Sequence, residues 1–360
     1  MKDEGIREGF MRKELTGKFS RFIVSAKSPS VGFPGVCFVF FFFSSLILHP
    51  SSLVHAADSK AGTSGAVFMK IPTGSPRAQA LGNCGVSVVE GAEAMTINPA
   101  GMASAQMREA AFAYLDWFQD YSGEYIAYVH PVGQSVIGVN MATYDIKGFD
   151  VRDTDGIPLY SENVKVSHKY ATLTLAKSFF LERLLLGVSA KGIWEDNYTS
   201  KYHNTVFDAG VILKVGRKLS LGWSGANFSG NVDDVAKISR LGLAIAFNPF
   251  LTTLAESKVY SDRKAAIGGG VELSLPEEVL QVGRVSLRTG YVQFNGADDY
   301  GKNYTDTTMD TLGLAEAYGW TFGVGIYSAQ VMGFGMALDY TLVPYGALGR
   351  AGQLMVKVQF

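Results

Sequence analysis

The sequence predicts an all-β fold, a transmembrane antiparallel outer-membrane β-barrel of about 14 strands with a short amino-terminal helical hatch, and three observations carry that prediction. First, Leu354, Val356, Val358 and Phe360 alternate with other residues and share one face of a final strand, because successive strand side chains point to opposite sides. An apolar face ending on an aromatic residue suits a strand whose outer side meets lipid, and these four residues form the expected barrel-assembly signal. Second, segments of about ten residues alternate apolar with small or polar side chains from residue 108 onward, the repeat of a membrane barrel. Third, only 18% of the 360 residues are charged, against roughly 25% in soluble domains, while 47% are hydrophobic and 41 are glycine.

Residues 1–56 read as a signal peptide cleaved after Ala56. Lys13, Lys18, Arg21 and Lys27 precede an apolar run from Val31 to Leu48, and Val54-His55-Ala56 places small residues where a signal peptidase reads. A run of this length can also just span a bilayer, but Pro34, Pro50 and the cleavage triplet favour secretion, and Met11 is an alternative start. Without residues 1–56, 25 basic side chains face 29 acidic ones, which argues against a nucleic-acid partner. Cys37 falls in the signal, preceded by residues that make a poor lipoprotein signal, and Cys84 stands alone, so neither a lipid anchor nor an internal disulfide is expected.

Residues 57–107 lack strand alternation and are dense in Ala, Gly and Ser between Gly74 and Ala105. They read as short helices with tight turns, one around Ala78, Ala80 and Leu81 and another over Val86 to Ala94. Asn98-Pro99-Ala100-Gly101 follows: the residue before proline is pushed out of the helical region, Pro99 starts a new turn, and Gly101 permits a bend toward the first strand. Such a small-residue segment suits packing inside a barrel. The glycines on the expected lumen face, Gly187, Gly323, Gly325, Gly333 and Gly335, either leave room for it or let the strands bend.

Residues 108–360 form the barrel. Thirteen strands can be drawn: 109–117, 122–130, 135–145, 167–178, 183–194, 204–214, 217–227, 239–248, 263–275, 283–294, 318–328, 331–342 and 352–360. Short links at Pro131 to Gln134, Phe179 to Glu182, Val215 to Gly216 and Ala329 to Gln330 read as periplasmic turns, and the polar insertions 146–166 and 295–317 as outer loops. Two loops on one side need an even number of strands between them, yet seven are drawn. The missing strand is expected within 249–262, which brings the total to 14. The alternation puts Leu184, Leu186 and Val188 outside and Leu185, Gly187, Ser189 and Lys191 inside; Trp194, Trp223, Trp320 and Tyr340 suit aromatic girdles at the membrane interfaces.

The segment before the barrel carries a denser pattern: Phe68-Met69-Lys70-Ile71, Arg77-Ala78, Ala80-Leu81-Gly82, acids at Glu90 and Glu93, then Asn98-Pro99-Ala100-Gly101-Met102. This resembles the amino-terminal signature of the PorV/PorQ family, itself similar to FadL-type outer-membrane transporters. The resemblance is motif-dense over residues 65–105 and a matter of pattern over the barrel. It implies a fourteen-stranded barrel whose amino-terminal segment folds into the lumen, with Arg77 and Asn98 to Gly101 as the hatch motif. Cys84, Val86 and the Glu90-Gly91 pair depart from the family's usual residues.

No enzymatic constellation stands out. His130 falls at a predicted turn, and His168 and His203 lie at outer strand ends, where Asp153 or Asp155 would complete a protease-like set only if all came together. Asp150, Asp153, Asp155 and Gly156, and likewise Asp298, Asp299, Asp306 and Asp310, lack the spacing and closing glutamate of an EF-hand. Gly268-Gly269-Gly270 sits in a strand pattern and is no nucleotide loop. We therefore expect a non-enzyme without metal or cofactor, integral to the outer membrane of a Gram-negative-type bacterium, with membrane lipid and the barrel-assembly machinery as partners. The resemblance implies a component of protein secretion with secreted proteins or secretion components as partners. The alternatives are a FadL-like channel for uptake of a hydrophobic ligand and a purely structural barrel. An uptake channel needs an apolar lumen, whereas the assigned inward positions are mostly Gly, Ser, Thr, Lys and Asp, which mildly favours a role other than transport.

Overall fold

A computed structural model describes residues 64–117, 121–146, 164–228, 235–263, 265–275, 283–293, 319–331, 333–345 and 349–360, with 149, 151–153 and 155–158 between them. Residues 1–56, expected to be a signal peptide, with Cys37, and likewise Asp150 and the four aspartates of the 295–317 loop, lie outside those residues. Residues 56–360 form one compact unit.

Fourteen strands close into an antiparallel barrel. They are β1 (Glu109–Asp116), β2 (Tyr121–Val132), β3 (Ser135–Ile146), β4 (Val166–Phe179), β5 (Leu184–Asp196), β6 (Lys201–Val215), β7 (Leu219–Phe228), β8 (Ile238–Ala246), β9 (Leu251–Tyr260), β10 (Ala266–Leu275), β11 (Arg284–Val292), β12 (Trp320–Val331), β13 (Phe334–Pro344) and β14 (Arg350–Gln359). Each pairs with its sequence neighbour, and β1 pairs with β14 from Glu109↔Gln359 to Asp116↔Gly352. Beyond that ladder, Arg108 and Phe360 exchange backbone hydrogen bonds of 3.2 and 3.0 Å. Closure leaves no unpaired edge, the condition for placing strands in hydrocarbon.

The strand expected within 249–262 is β9, so the loops after β3 and β11 open at the same end. One expected turn is displaced: Ala329 and Gln330 belong to β12, and the chain reverses at Gly333, whose φ of +86° suits a residue without a Cβ. Gly333 is therefore an exposed turn residue and not a lumen glycine.

The alternation sorts the two faces as the period of two requires. Phe112, Ile126, Val139, Leu173, Val188, Leu241, Ile267, Leu287, Leu338 and Leu354 all stand exposed on the outside, a continuous apolar wall that only lipid satisfies. Trp194 and Trp320 lie at loop-side strand ends, while Trp223 stands midway along β7. Trp223 is thus set away from the girdle position expected of it.

Residues 64–107 fill the lumen. α1 (Pro76–Ala80) starts as its residues dictate, with Pro76 in its first turn and the Ser75 hydroxyl accepting from Ala78 N at 3.1 Å. Val86 to Ala94 is not a helix. Gly91 sits at φ +56°, which no continuing helix permits, and a 3₁₀ turn runs instead from Gly91 to Thr96. A second 3₁₀ turn spans Pro99–Ser104, capped by Asn98 Oδ1 accepting from Ala100 N at 3.1 Å. Gly101 lies inside that turn; it serves close packing on the Val89 carbonyl, where a Cβ would collide, and does not bend the chain toward β1.

Candidate functional site

The hatch has no ladder of its own, so its buried backbone groups need partners, and the barrel wall supplies them. Asn98 is central. Its Nδ2 donates to Val86 O at 2.6 Å within the hatch and to Val211 O of β6 at 3.2 Å. The Ser224 hydroxyl of β7 donates to Ile97 O at 2.7 Å, Thr321 of β12 bridges Ala80 O and Gly82 N at 2.8 and 2.9 Å, and Glu256 of β9 accepts from Gly85 N and Val86 N at 2.7 and 2.9 Å. The Asn98 to Gly101 motif is thereby pinned to the β5–β7 wall. Pro99 and Ala100 lie so close to Gly187 that a Cβ there would meet their backbone atoms.

The other expected lumen glycines act for different reasons. Gly323 makes room for the Ala80 methyl, Gly325 for the Arg288–Asp339 ion pair, and Gly335 for Gln359 and Tyr327. Space for the hatch thus accounts for Gly187 and Gly323.

The lumen wall has two characters. From β1 to β6 the inward face carries Ala113, Leu115, Tyr125, Ala142, Tyr144, Tyr170, Leu185, Ile193, Val206 and Ile212, all buried against Phe68, Met95, Met102 and the hatch alanines. Asn140, Thr172, Thr174, Ser189 and the Lys191–Asp208 ion pair at 2.7 Å are buried on the same inward face, so the expected polar positions Ser189 and Lys191 are inside but share this half with an apolar and aromatic row. From β8 to β14 the inward face carries Arg240, Glu256, Lys258, Glu272, Arg288, Asp339 and Lys357. Arg77 grips both Glu272 oxygens through Nε and Nη2 at 3.0 and 2.6 Å, Arg288 Nε donates to the same carboxylate at 2.8 Å, and Arg288 pairs onward with Asp339. Burial works against the Arg77 charge, yet Glu272 more than offsets it and holds the guanidinium above its ordinary value. Glu93 accepts from the Ser75 hydroxyl at 2.6 Å and faces Lys357 at 3.4 Å; burial pushes its carboxyl up, but Lys357 and Ser75 outweigh that and hold it below 4.5. Lys70 pairs with Asp262 just after β9. Arg77, Glu93, Glu272, Arg288, Asp339 and Lys357 line a polar cavity of about 400 Å³ between the hatch and β10–β14.

The sequence reading placed Arg77 in the hatch motif but missed its partners. Glu272 and Arg288 are directly opposite in the β10–β11 register. Their signal was charge at inward positions of membrane strands, which hydrocarbon facing forbids and a lumen permits. Cys84 is buried with its thiol donating to Gly82 O at 3.3 Å, and desolvation pushes it up to about 12, so it is an inert core thiol.

At the loop end the β1–β6 half turns aromatic. Phe68 meets Tyr144 edge-on at 5.2 Å and stacks on His168 at 5.0 Å; Tyr121 and Tyr170 lie 5.8 and 6.4 Å from Tyr144, and Thr73 hydrogen-bonds the Tyr144 hydroxyl. Half-buried Trp117, Tyr121, Met69 and Ile71 pack on this cluster, and Tyr345 sits 4.9 Å from Trp117. His168 and His203 do not converge. His168 faces inward and bonds Asn197 Oδ1 at 2.8 Å, whereas His203 stacks on outward Trp194 at 5.2 Å, so they stand on opposite faces of the wall. His130 contacts Tyr128. Among the described residues no His, Cys, Asp and Glu cluster could hold a metal ion.

No family model matches the sequence. No curated protein matches it either. Solved structures do. The toluene transporter TbuX of Ralstonia pickettii superposes with a TM-score of 0.51 at 11% identity, covering 81% of this chain and 98% of that one. The toluene transporter TodX of Pseudomonas putida gives 0.49 at 10% identity over 79% and 96%, and a Pseudomonas aeruginosa FadL homologue gives 0.45 at 13% over 80% and 98%. At these identities the likeness is one of fold, and the TbuX superposition carries it: the chain shares the closed barrel fold of that outer-membrane protein.

Proposed function

We propose that this protein is an outer-membrane channel that takes up small hydrophobic, preferably aromatic, molecules and is closed at rest by its hatch. The observation that supports it is the loop-side mouth, where half-buried Trp117, Tyr121 and Tyr345 lead onto buried Phe68, Tyr144 and Tyr170. Ring edges and faces of this kind offer offset and edge-on contacts to an aromatic guest, worth about 0.5–1.5 kcal/mol per pair beyond burial. The outward apolar wall supplies the membrane position, and the fold of a protein described as a toluene transporter agrees with the substrate class. Binding of toluene, followed as quenching of tryptophan fluorescence in the purified protein, tests it. Phe68→Ala with Tyr121→Ala should weaken binding about tenfold with the barrel intact; unchanged binding sinks the reading.

The secretion reading keeps one observation in its favour, the polar character of the 400 Å³ cavity beneath the hatch, which offers an apolar guest little. It requires partner proteins. Deleting the gene should then abolish export of a set of secreted proteins, and an unchanged secretome together with lost toluene uptake decides for the channel.

A further inference from the structure

The turns opposite the long loops are unequal. The β2–β3 turn at Gly133 and Gln134 has no charge, and neither does the β8–β9 turn over Phe247 to Phe250. The adjacent β4–β5 and β6–β7 turns carry Arg183, Arg217 and Lys218, all exposed, against one exposed acid, Glu182; Arg217 and Lys218 also border the lumen mouth, and Lys177 stands just above the β4–β5 turn on the lipid-facing side of β4. A backbone bond of 2.8 Å from Lys214 N to Arg183 O ties the two turns together.

The β4–β5 turn also has an unfavourable conformation. Phe180, Leu181 and Glu182 stand at φ +54°, +55° and +63°, three successive left-handed residues with no glycine among them, where each Cβ crowds the following carbonyl. The turn that bears this strain holds Phe180 76% and Leu181 99% exposed. Strain and water-exposed apolar surface together stabilise nothing in the isolated chain, and such outliers point to function. Lys177 lies over the Phe179 ring at 5.3 Å, its stem along apolar surface and its ammonium at the rim.

We propose that these two turns form a binding site for an anionic phospholipid of the inner leaflet of the outer membrane. Phe180 and Leu181 enter the acyl boundary beside the barrel wall, and Lys177, Arg183, Arg217 and Lys218 gather on the headgroup phosphate. Apolar side chains and cations at the height where the wall leaves the bilayer match an amphiphile with a negative head, and a basic turn without the apolar tip would not.

Native mass spectrometry of the purified full-length protein tests this, titrated separately with phosphatidylglycerol, phosphatidylcholine and inorganic phosphate, with heat-modifiable gel mobility reporting an intact barrel. The wild type should retain phosphatidylglycerol over phosphatidylcholine, and millimolar phosphate should not displace it. Arg183→Ala with Arg217→Ala and Lys218→Ala should weaken retention on the order of a hundredfold. Phe180→Ser with Leu181→Ser, which leaves every charge in place, should weaken it too, while Arg152→Ala at the opposite end should not. Equal retention of both lipids, indifference to the triple variant, or full displacement by inorganic phosphate overturns the proposal.

Discussion

The two halves of the lumen wall hold the same hatch by opposite means. Along β1–β6 the contact is mainly apolar and close, alanines and 3₁₀ turns against tyrosines, leucines and a glycine that lets two backbones touch, with single hydrogen bonds such as Asn98 to Val211 and Ala92 N to Glu109 and no ion pair to the hatch among the described residues. Along β8–β14 it runs through ion pairs, Arg77 to Glu272 and Glu93 to Lys357 beside the polar cavity and Lys70 to Asp262 near the loop end. Apolar packing is non-directional and dry, and it loosens little with pH or salt. A buried ion pair contributes little net stability when whole but costs much when one partner is lost. The difference teaches where the hatch is anchored and where it can be released: the β1–β6 side is the anchor and the β8–β14 side the catch.

The largest expected effect follows from breaking the catch. Glu272→Gln leaves the buried Arg77 and Arg288 guanidiniums without their shared carboxylate, a loss of about 3–5 kcal/mol for a broken buried pair. In planar bilayers the variant should conduct ions where the wild type is closed, while the barrel keeps its heat-modifiable mobility. A closed Glu272→Gln channel would show that the charged half does not restrain the hatch.

A smaller effect is expected on the anchoring side. Gly187→Val drives a side chain into the Pro99–Ala100 backbone, and overpacking of this kind costs about 1–3 kcal/mol. Thermal unfolding by circular dichroism should shift downward, and because the ion pairs remain, steady conductance should rise less than in Glu272→Gln. The reverse ranking would exchange the roles of the two halves.

The smallest effect is acid release. The Glu93 carboxyl is held below 4.5 by Lys357 and Ser75, so its contribution is fully present above the unfolded value and is lost as pH falls through the lowered folded value. Conductance should therefore stay flat from neutral pH through the ordinary carboxylate range and rise only below it. Opening on mild acidification, above the ordinary carboxylate range, would assign the catch to other groups.

The barrel was legible in the sequence because a period of two in an apolar wall leaves a mark in every strand, and because loops on one side fix the parity of the strands between them. β9 was hard to see for a local reason. Its outward positions are Leu251, Thr253, Ala255, Ser257 and Val259, weakly apolar, while Glu256 and Lys258 interrupt the inward row. The hatch motif was legible as Asn98 and Pro99, whose capping chemistry is local. What Asn98 binds was not, since Val211 is distant in sequence and only the register brings it near. The Glu272–Arg288 pairing was hidden in the same way, one strand's inward charge meaning little until its neighbour's register is known. The false helix over Val86 to Ala94 came from composition read without the φ that Gly91 adopts.

The seam between β1 and β14 joins Glu109 to Gln359, 250 residues apart in the chain. Every other strand pair joins sequence neighbours and can form as a hairpin, so the seam is the one step that must wait for all the rest. Until then the growing sheet has two open borders, each able to recruit a strand from another chain. The long wait makes the seam the kinetic bottleneck of assembly, and losing the last strand would leave a sheet prone to join its neighbours, with no smaller barrel to fall back on.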